Sequence, residues 1–233
     1  MILIDNLRYD QWKTIEPFVV EDYSIKKNII YTSILPTTTQ YCRNSIFSGL
    51  SPIDINKFHP NYWVNETDEG GKNKYEDELI NEQFLRLGIK SNYKYHKILN
   101  PKDGESFLNR MSNEKQNELT VMVYNFVDMI SHAKKDVKFI KELASSDRAY
   151  RELTKGWFKN SKLNEIIKRG KELGFKIIIT SDHGTINVDK ATLVSGDKEI
   201  STNLRYKTSR QIHSSKKEVL NLKNPEKFLL PSN

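Results

Sequence analysis

Three acids and one histidine stand where short apolar runs stop, and a second histidine follows one turn after the middle acid. Met1-Ile2-Leu3-Ile4 ends on Asp5, the run from Leu119 to Val127 ends on Asp128, and Lys176-Ile177-Ile178-Ile179-Thr180-Ser181 ends on Asp182-His183-Gly184. Asp128 and His132 are four apart, a spacing that puts both on one helix face. Clustered carboxylates repel one another unless cations neutralise them, and acids beside imidazoles suit divalent metals. A hydroxyl from Thr37, Thr38 or Thr39 can bridge such a site, because coordination to a divalent cation turns a weak hydroxyl nucleophile into a strong one. Two ions a short distance apart would stabilise the entering and leaving oxygens of an in-line displacement at phosphorus. Arg43, on the helix that follows the threonines, is the first candidate donor to phosphate oxygens; Arg8 and Arg205 rank below it. Each feature alone has a plainer reading, since an acid after a strand is commonly a turn former and a threonine run commonly caps a helix. Their joint occurrence at the ends of successive apolar runs carries the argument.

The elements that must position these residues follow from the same pattern. Apolar runs between turn signals read as strands of a parallel sheet covered by helices, and ligands gather beyond the carboxyl ends of such strands. Between them, Asn6–Phe18 carries a helical stripe of Leu7, Trp12, Ile15 and Phe18 that is expected to end near Pro17, and Ser24–Leu35 reads as an extended strand closed by Pro36. Thr37–Leu50 reads as a hydroxyl-rich turn and a short helix stopped at Gly49, whose N-terminus is a natural phosphate site. Residues 52–117 are irregular and are expected to form an inserted cap or lid, with a helix over Tyr75–Leu87 and a strand over Tyr93–Leu99 outside the central sheet. A helical segment starts at Asp128 and continues over Val137–Leu153; a second helix, Lys162–Leu173, ends at Gly174 and feeds the Ile177 strand, the order a right-handed crossover requires. Ile186–Val188 and Thr192–Val194 read as hairpin strands.

Composition narrows the class. Of 233 residues, 37% are hydrophobic and 29% charged, and no run reaches membrane-spanning length, so no membrane insertion is expected. The single Cys42 excludes an internal disulfide and fits a reducing, cytoplasmic compartment. A net charge of +7 favours anionic partners, but the lysines are scattered and no aromatic-basic cluster forms a stacking groove for nucleic acid. The chain opens on a strand and ends at Leu230-Pro231-Ser232-Asn233 without a closing element, so residues 1–233 are expected to be a single incomplete domain that lacks its C-terminal part.

The order Asp5, Pro36-Thr37-Thr38-Thr39 leading to Ser48-Gly49-Leu50, Asp128-x-x-x-His132 and Asp182-His183-Gly184 resembles the alkaline phosphatase superfamily. More narrowly, Ile4-Asp5-Asn6-Leu7-Arg8-Tyr9-Asp10-Gln11-Trp12, Leu35-Pro36-Thr37-Thr38-Thr39-Gln40-Tyr41 and Thr202-Asn203-Leu204-Arg205-Tyr206-Lys207 resemble the PglZ domain of PorX-type response regulators. The resemblance implies an α/β fold, an alkaline phosphatase-like and mostly parallel sheet flanked by helices with an inserted cap. It implies a zinc phosphodiesterase-like effector behind an N-terminal receiver domain, with signalling partners in control of type IX secretion in Bacteroidota. A nucleotide or oligonucleotide phosphodiester is the implied substrate, and two divalent ions, zinc by resemblance, the implied cofactors. Thr39 is the implied nucleophile. One ion would be held by Asp5, Thr39, Asp182 and His183, and the other by Asp128, His132 and a histidine from a downstream His-Gly-Gly segment. This sequence holds no such segment, and its last histidine, His213, lies outside that motif. The missing ligand favours a rival expectation, a regulatory interaction module that keeps the fold and a structural metal but has little or no activity.

Overall fold

The computed structural model describes residues 1–66, 68–125, 146–188, 190–214 and 219–232. They form two compact units, the first built from Met1–Ser33 and Lys90–Asn187 and the second from Ile34–Ile89 and Val188–Asn233. The expected insert, 52–117, is thus divided between the two.

The first unit is a four-stranded, all-parallel sheet in the order β2-β3-β1-β4, with β1 Ile2–Ile4, β2 Tyr93–Ile98, β3 Leu119–Tyr124 and β4 Ile179–Thr180. Its helices are α1 (Tyr9–Val20), α5 (Pro101–Arg110), α6 (Asp147–Lys159) and α7 (Lys162–Glu172). The inner strands β1 and β3 are apolar because both faces are covered: Leu3, Ile4 and Val123 are fully buried. Ile2, Ile4, Met122 and Tyr124 join one core with Ile15 and Val19 of α1, Phe107 of α5, Phe158 of α6 and Leu163, Ile166 and Ile167 of α7. Helix starts follow local chemistry. Ser146 and Ser161 accept N–H bonds from Ala149 and Asn164 at α6 and α7, and Asn100 and Asp103 form a reciprocal capping box at α5.

Four expectations change here. The Ile177 run is an edge strand, not one buried on both faces: only Ile179 and Thr180 join the ladder, and Ile178 is 62% exposed while Ile177 and Ile179 pack on the core. Among the described residues β4 pairs with β1 alone, and the face that carries Ile178 is exposed while the face of Ile177 and Ile179 packs on the core, which gives the run a period of two. The strand expected to stand outside the sheet, Tyr93–Ile98, pairs along its whole length with β3. Helix α1 runs through Pro17 to Val20, because Ile15 and Val19 are buried and α1 packs along α6. Ser24–Leu35 is not a strand: Ile25, Ile29, Ile30, Tyr31 and Ile34 are exposed, so no buried face fixes a register.

The second unit holds α2 (Thr39–Ser48), α3 (Pro52–Phe58) and α4 (Glu76–Arg86), with a two-residue antiparallel pair, β5 Ser195–Gly196 and β6 Ile212–His213. The expected strands at Ile186–Val188 and Thr192–Val194 are irregular, with Ile186, Val188 and Leu193 exposed. Tyr41 and Phe47 of α2, Ile55 of α3, Trp63, and Leu79 and Ile80 of α4 are buried. Helix α2 ends on Gly49 at φ +62°, a left-handed turn that favours glycine. Tyr206 sets its ring edge-on to Tyr41 at 5.6 Å and donates its hydroxyl to Glu66 at 2.7 Å. Burial and the nearby Glu66 push the Tyr206 phenol well above its ordinary range, so it remains a donor. Among the described residues no helix is long and apolar enough to cross a membrane. Phe158→Ala, which empties the fully buried contact of α6 with Phe18 of α1, is expected to cost about 3–5 kcal/mol in denaturant unfolding with little change in secondary structure.

Candidate metal centre

Register brings the acids together. β1 and β4 run parallel with Leu3 opposite Thr180, so Asp5 and Asp182, each two residues further on, come level beyond the same ends of adjacent strands. The Asp5 N–H continues the ladder to the Tyr124 carbonyl at 3.0 Å. The backbone then turns at Asn6, which adopts a left-handed φ of 62°, a conformation asparagine tolerates better than most residues.

Asp5 and Asp182 are 1% exposed and His183 5%. One ligand atom from each lies within 4.8 Å of the others. His183 Nε2 stands 3.6 Å from Asp5 Oδ1 and 3.6 Å from Asp182 Oδ2, too far for good hydrogen bonds. The edge of a tetrahedron around a zinc-sized ion with nitrogen and oxygen ligands is ~3.3 Å, so the spacing matches ligands around a cation. Asp182 Oδ1 is already occupied, accepting the N–H groups of Asn6 at 3.1 Å and His183 at 2.9 Å, which turns Oδ2 toward the imidazole. Asn6 itself is fully buried, and among the described residues neither its Oδ1 nor its Nδ2 has a hydrogen-bond partner. A buried amide without a partner is costly, so a group beyond the described residues is called for to satisfy it. The two carboxylates, the imidazole and this amide fit a divalent cation; the donor set suits zinc and manganese alike.

The loop bearing Asp182 and His183 is fastened from several directions. Ser181 Oγ accepts the Leu7 N–H at 3.0 Å and donates to the His183 carbonyl at 2.9 Å, while Ser33 Oγ donates to the Asp182 carbonyl at 2.8 Å. Asn6, Ser181 and Ser33 were not singled out from sequence. The one available signal was that Asn6 and Ser181 adjoin the acids.

The other expected site residues divide as follows. Asp128 and His132 lie outside the described residues. Thr39 and Arg43 belong to the second unit. Thr39 opens α2 behind the N-cap Thr38, and its carbonyl accepts from Asn73 Nδ2 at 3.1 Å. Arg43 is not a solvated side chain: it is 2% exposed and its Nε donates to the equally buried Glu76 carboxylate. Arg205 is exposed, and its Nη1 reaches the Thr37 carbonyl and lies 3.4 Å from the Thr37 hydroxyl, on the turn that leads into Thr39. His213, in β6, is exposed. The centre predicts that His183→Ala lowers affinity for added Zn²⁺ or Co²⁺ by about 100-fold or more. Wild type at an ion concentration of 100 times Kd should gain about 2.7 kcal/mol of stability, a gain that the variant loses, as calorimetric titration and thermal unfolding would show.

A family model described as the BREX system PglZ alkaline phosphatase-like domain matches residues 1–230. No curated protein sequence matches the chain. The parallel sheet flanked by helices agrees with an alkaline phosphatase-like domain, a fold that generally binds divalent metals, and the buried Asp5, Asp182 and His183 group could hold one. The chain therefore belongs to the PglZ family of alkaline phosphatase-like domains.

Proposed function

We propose that this PglZ domain is a metal-dependent phosphohydrolase acting on phosphodiesters, with nucleotide or oligonucleotide linkages as the substrate class. The observation that carries the reading is the buried Asp5, Asp182 and His183 group beyond the ends of adjacent parallel strands. Divalent ions, two by resemblance and zinc by preference, would supply charge neutralisation at the phosphoryl oxygens and activation of a hydroxyl. Asp5, Asp182 and His183 would hold one ion. Asp128 and His132 are assigned to the second by the family motif alone.

Thr39 takes the role of nucleophile from the same resemblance. Its Oγ1 attacks phosphorus, an Oγ1–P bond forms, and the ester oxygen leaves with a proton. Water then cleaves the Oγ1–P bond, its oxygen staying on phosphorus, so that a phosphate monoester is released and the hydroxyl is restored. Arg43 is the first candidate to donate hydrogen bonds to the phosphoryl oxygens, but its guanidinium is buried on Glu76. We assign that role to Arg205, an exposed residue whose Nη1 reaches the threonine turn.

The resemblance of Ile4–Trp12, Leu35–Tyr41 and Thr202–Lys207 supports a place as the effector of a PorX-like response regulator controlling type IX secretion. The description of the family model favours a second context, a component of a BREX system, with the same chemistry. The coding sequence upstream separates them: a receiver domain there supports the first and its absence removes it. Thr39→Ala is expected to lower hydrolysis of bis(p-nitrophenyl) phosphate on the order of a thousandfold or more while bound metal is largely retained. Undiminished turnover would reject the nucleophile. Arg205→Ala should lower kcat/KM by about 100-fold with metal content unchanged, and Arg205→Lys should recover part of that loss.

A further inference from the structure

The three residues after Asp5 take hold, one after another, of the loop that bears the other two ligands. The Asn6 N–H binds Asp182 Oδ1 at 3.1 Å, the Leu7 N–H binds Ser181 Oγ at 3.0 Å, and Arg8 Nη1 binds the Thr185 carbonyl at 3.0 Å. The Arg8 stem also fills the space in front of Gly184, where a Cβ would come 2.8 Å from Arg8 Cγ. Glycine therefore lets the loop lie flat against the arginine.

The guanidinium is locked from the opposite side. Nε and Nη2 bind the two Asp10 oxygens at 2.8 and 2.5 Å, and Nη1 binds Asp147 Oδ1, at the start of α6, at 2.8 Å. The group lies over the Tyr150 ring, 5.8 Å from its centroid. Its partners are braced in turn: Asp10 by Arg151 at 3.0 Å and Asp147 by Asn187 at 3.1 Å. With four N–H groups committed to protein acceptors and a side chain only 14% exposed, Arg8 is poorly placed to bind substrate and well placed to set where His183 sits.

We propose that Arg8 is a positioning residue for the metal centre, holding the Asp182-His183-Gly184 loop against β1 so that the ligands are preorganised. The effect on metal affinity rests on the metal-centre reading above; the effect on the loop does not. Outer-shell groups that orient ligands typically change metal affinity by about 10- to 100-fold. A lysine keeps the charge but cannot span two carboxylates and a carbonyl at once.

The test compares the full chain with Arg8→Gln, Arg8→Lys, Gly184→Ala and Arg151→Ala, using Co²⁺ as the probe. Arg151→Ala removes a charge from the same network without touching the loop, so it reports the purely structural cost. Arg8→Gln and Gly184→Ala are expected to weaken Co²⁺ binding by about 10- to 100-fold and to alter its d–d absorption. They should also speed amide exchange over residues 182–185 without metal, whereas Arg151→Ala changes none of the three. Arg8→Lys should fall with Arg8→Gln. Wild-type Co²⁺ affinity, spectrum and loop exchange in Arg8→Gln and Gly184→Ala would overturn the proposal. If wild type itself fails to bind Co²⁺, the metal-centre reading falls, and the exchange comparison still decides whether Arg8 holds the loop.

Discussion

Two carboxylates and an imidazole gathered within 4.8 Å of one another and away from solvent are the constraint to which the first unit answers. Taking carboxylates out of water costs several kcal/mol each unless donors or cations offset it. The protein supplies part of that offset through two backbone N–H groups on Asp182 Oδ1 and leaves Oδ2 facing His183. Such an arrangement is poor as a device for stability alone and sensible as a seat for a divalent ion. This is why the family membership and the geometry point to the same chemistry.

The constraint explains features that otherwise look incidental. β4 contributes only two residues to the ladder, so the loop after it cannot rely on sheet pairing for its position. Side chains and turns do that work instead: Ser33, Ser181 and the left-handed Asn6 fix the loop at separate points. Beneath it, the fully buried Phe158, Leu163 and Ile15 give the short strands a rigid base. Exposed apolar residues along Ile25–Leu35 and at Ile178 lie outside that core.

In the second unit the same economics of buried charge appear in a different form. Arg43 and Glu76 are buried as a pair, which joins α2 to α4 and would be strongly destabilising if either partner were lost alone. The threonine turn is braced from outside the helix, by Asn73 on the Thr39 carbonyl and Arg205 on Thr37, while Tyr206 packs on Tyr41. Arg205 and Tyr206 are distant in sequence from the turn they support, and this separation is what hid the contact.

Sequence alone determined much of the architecture. The apolar runs ending on Asp5 and Asp182, the α2 stop at Gly49, helix α7 feeding β4, and the family motif are all local patterns, set by periodicity and by residues with restricted backbone choices. Tertiary structure decided the rest. Whether Tyr93–Ile98 joined the sheet, whether the Ile177 run lay inside or at an edge, and whether Pro17 ended α1 depended on which neighbours were present to cover them. Likewise Arg43 and Arg205 are the same residue type, and only folding gave one a buried carboxylate and the other an exposed place on the threonine turn. The physical reason is that the cost of burying a charge or an unpaired strand edge is fixed by partners far along the chain, which no local pattern encodes.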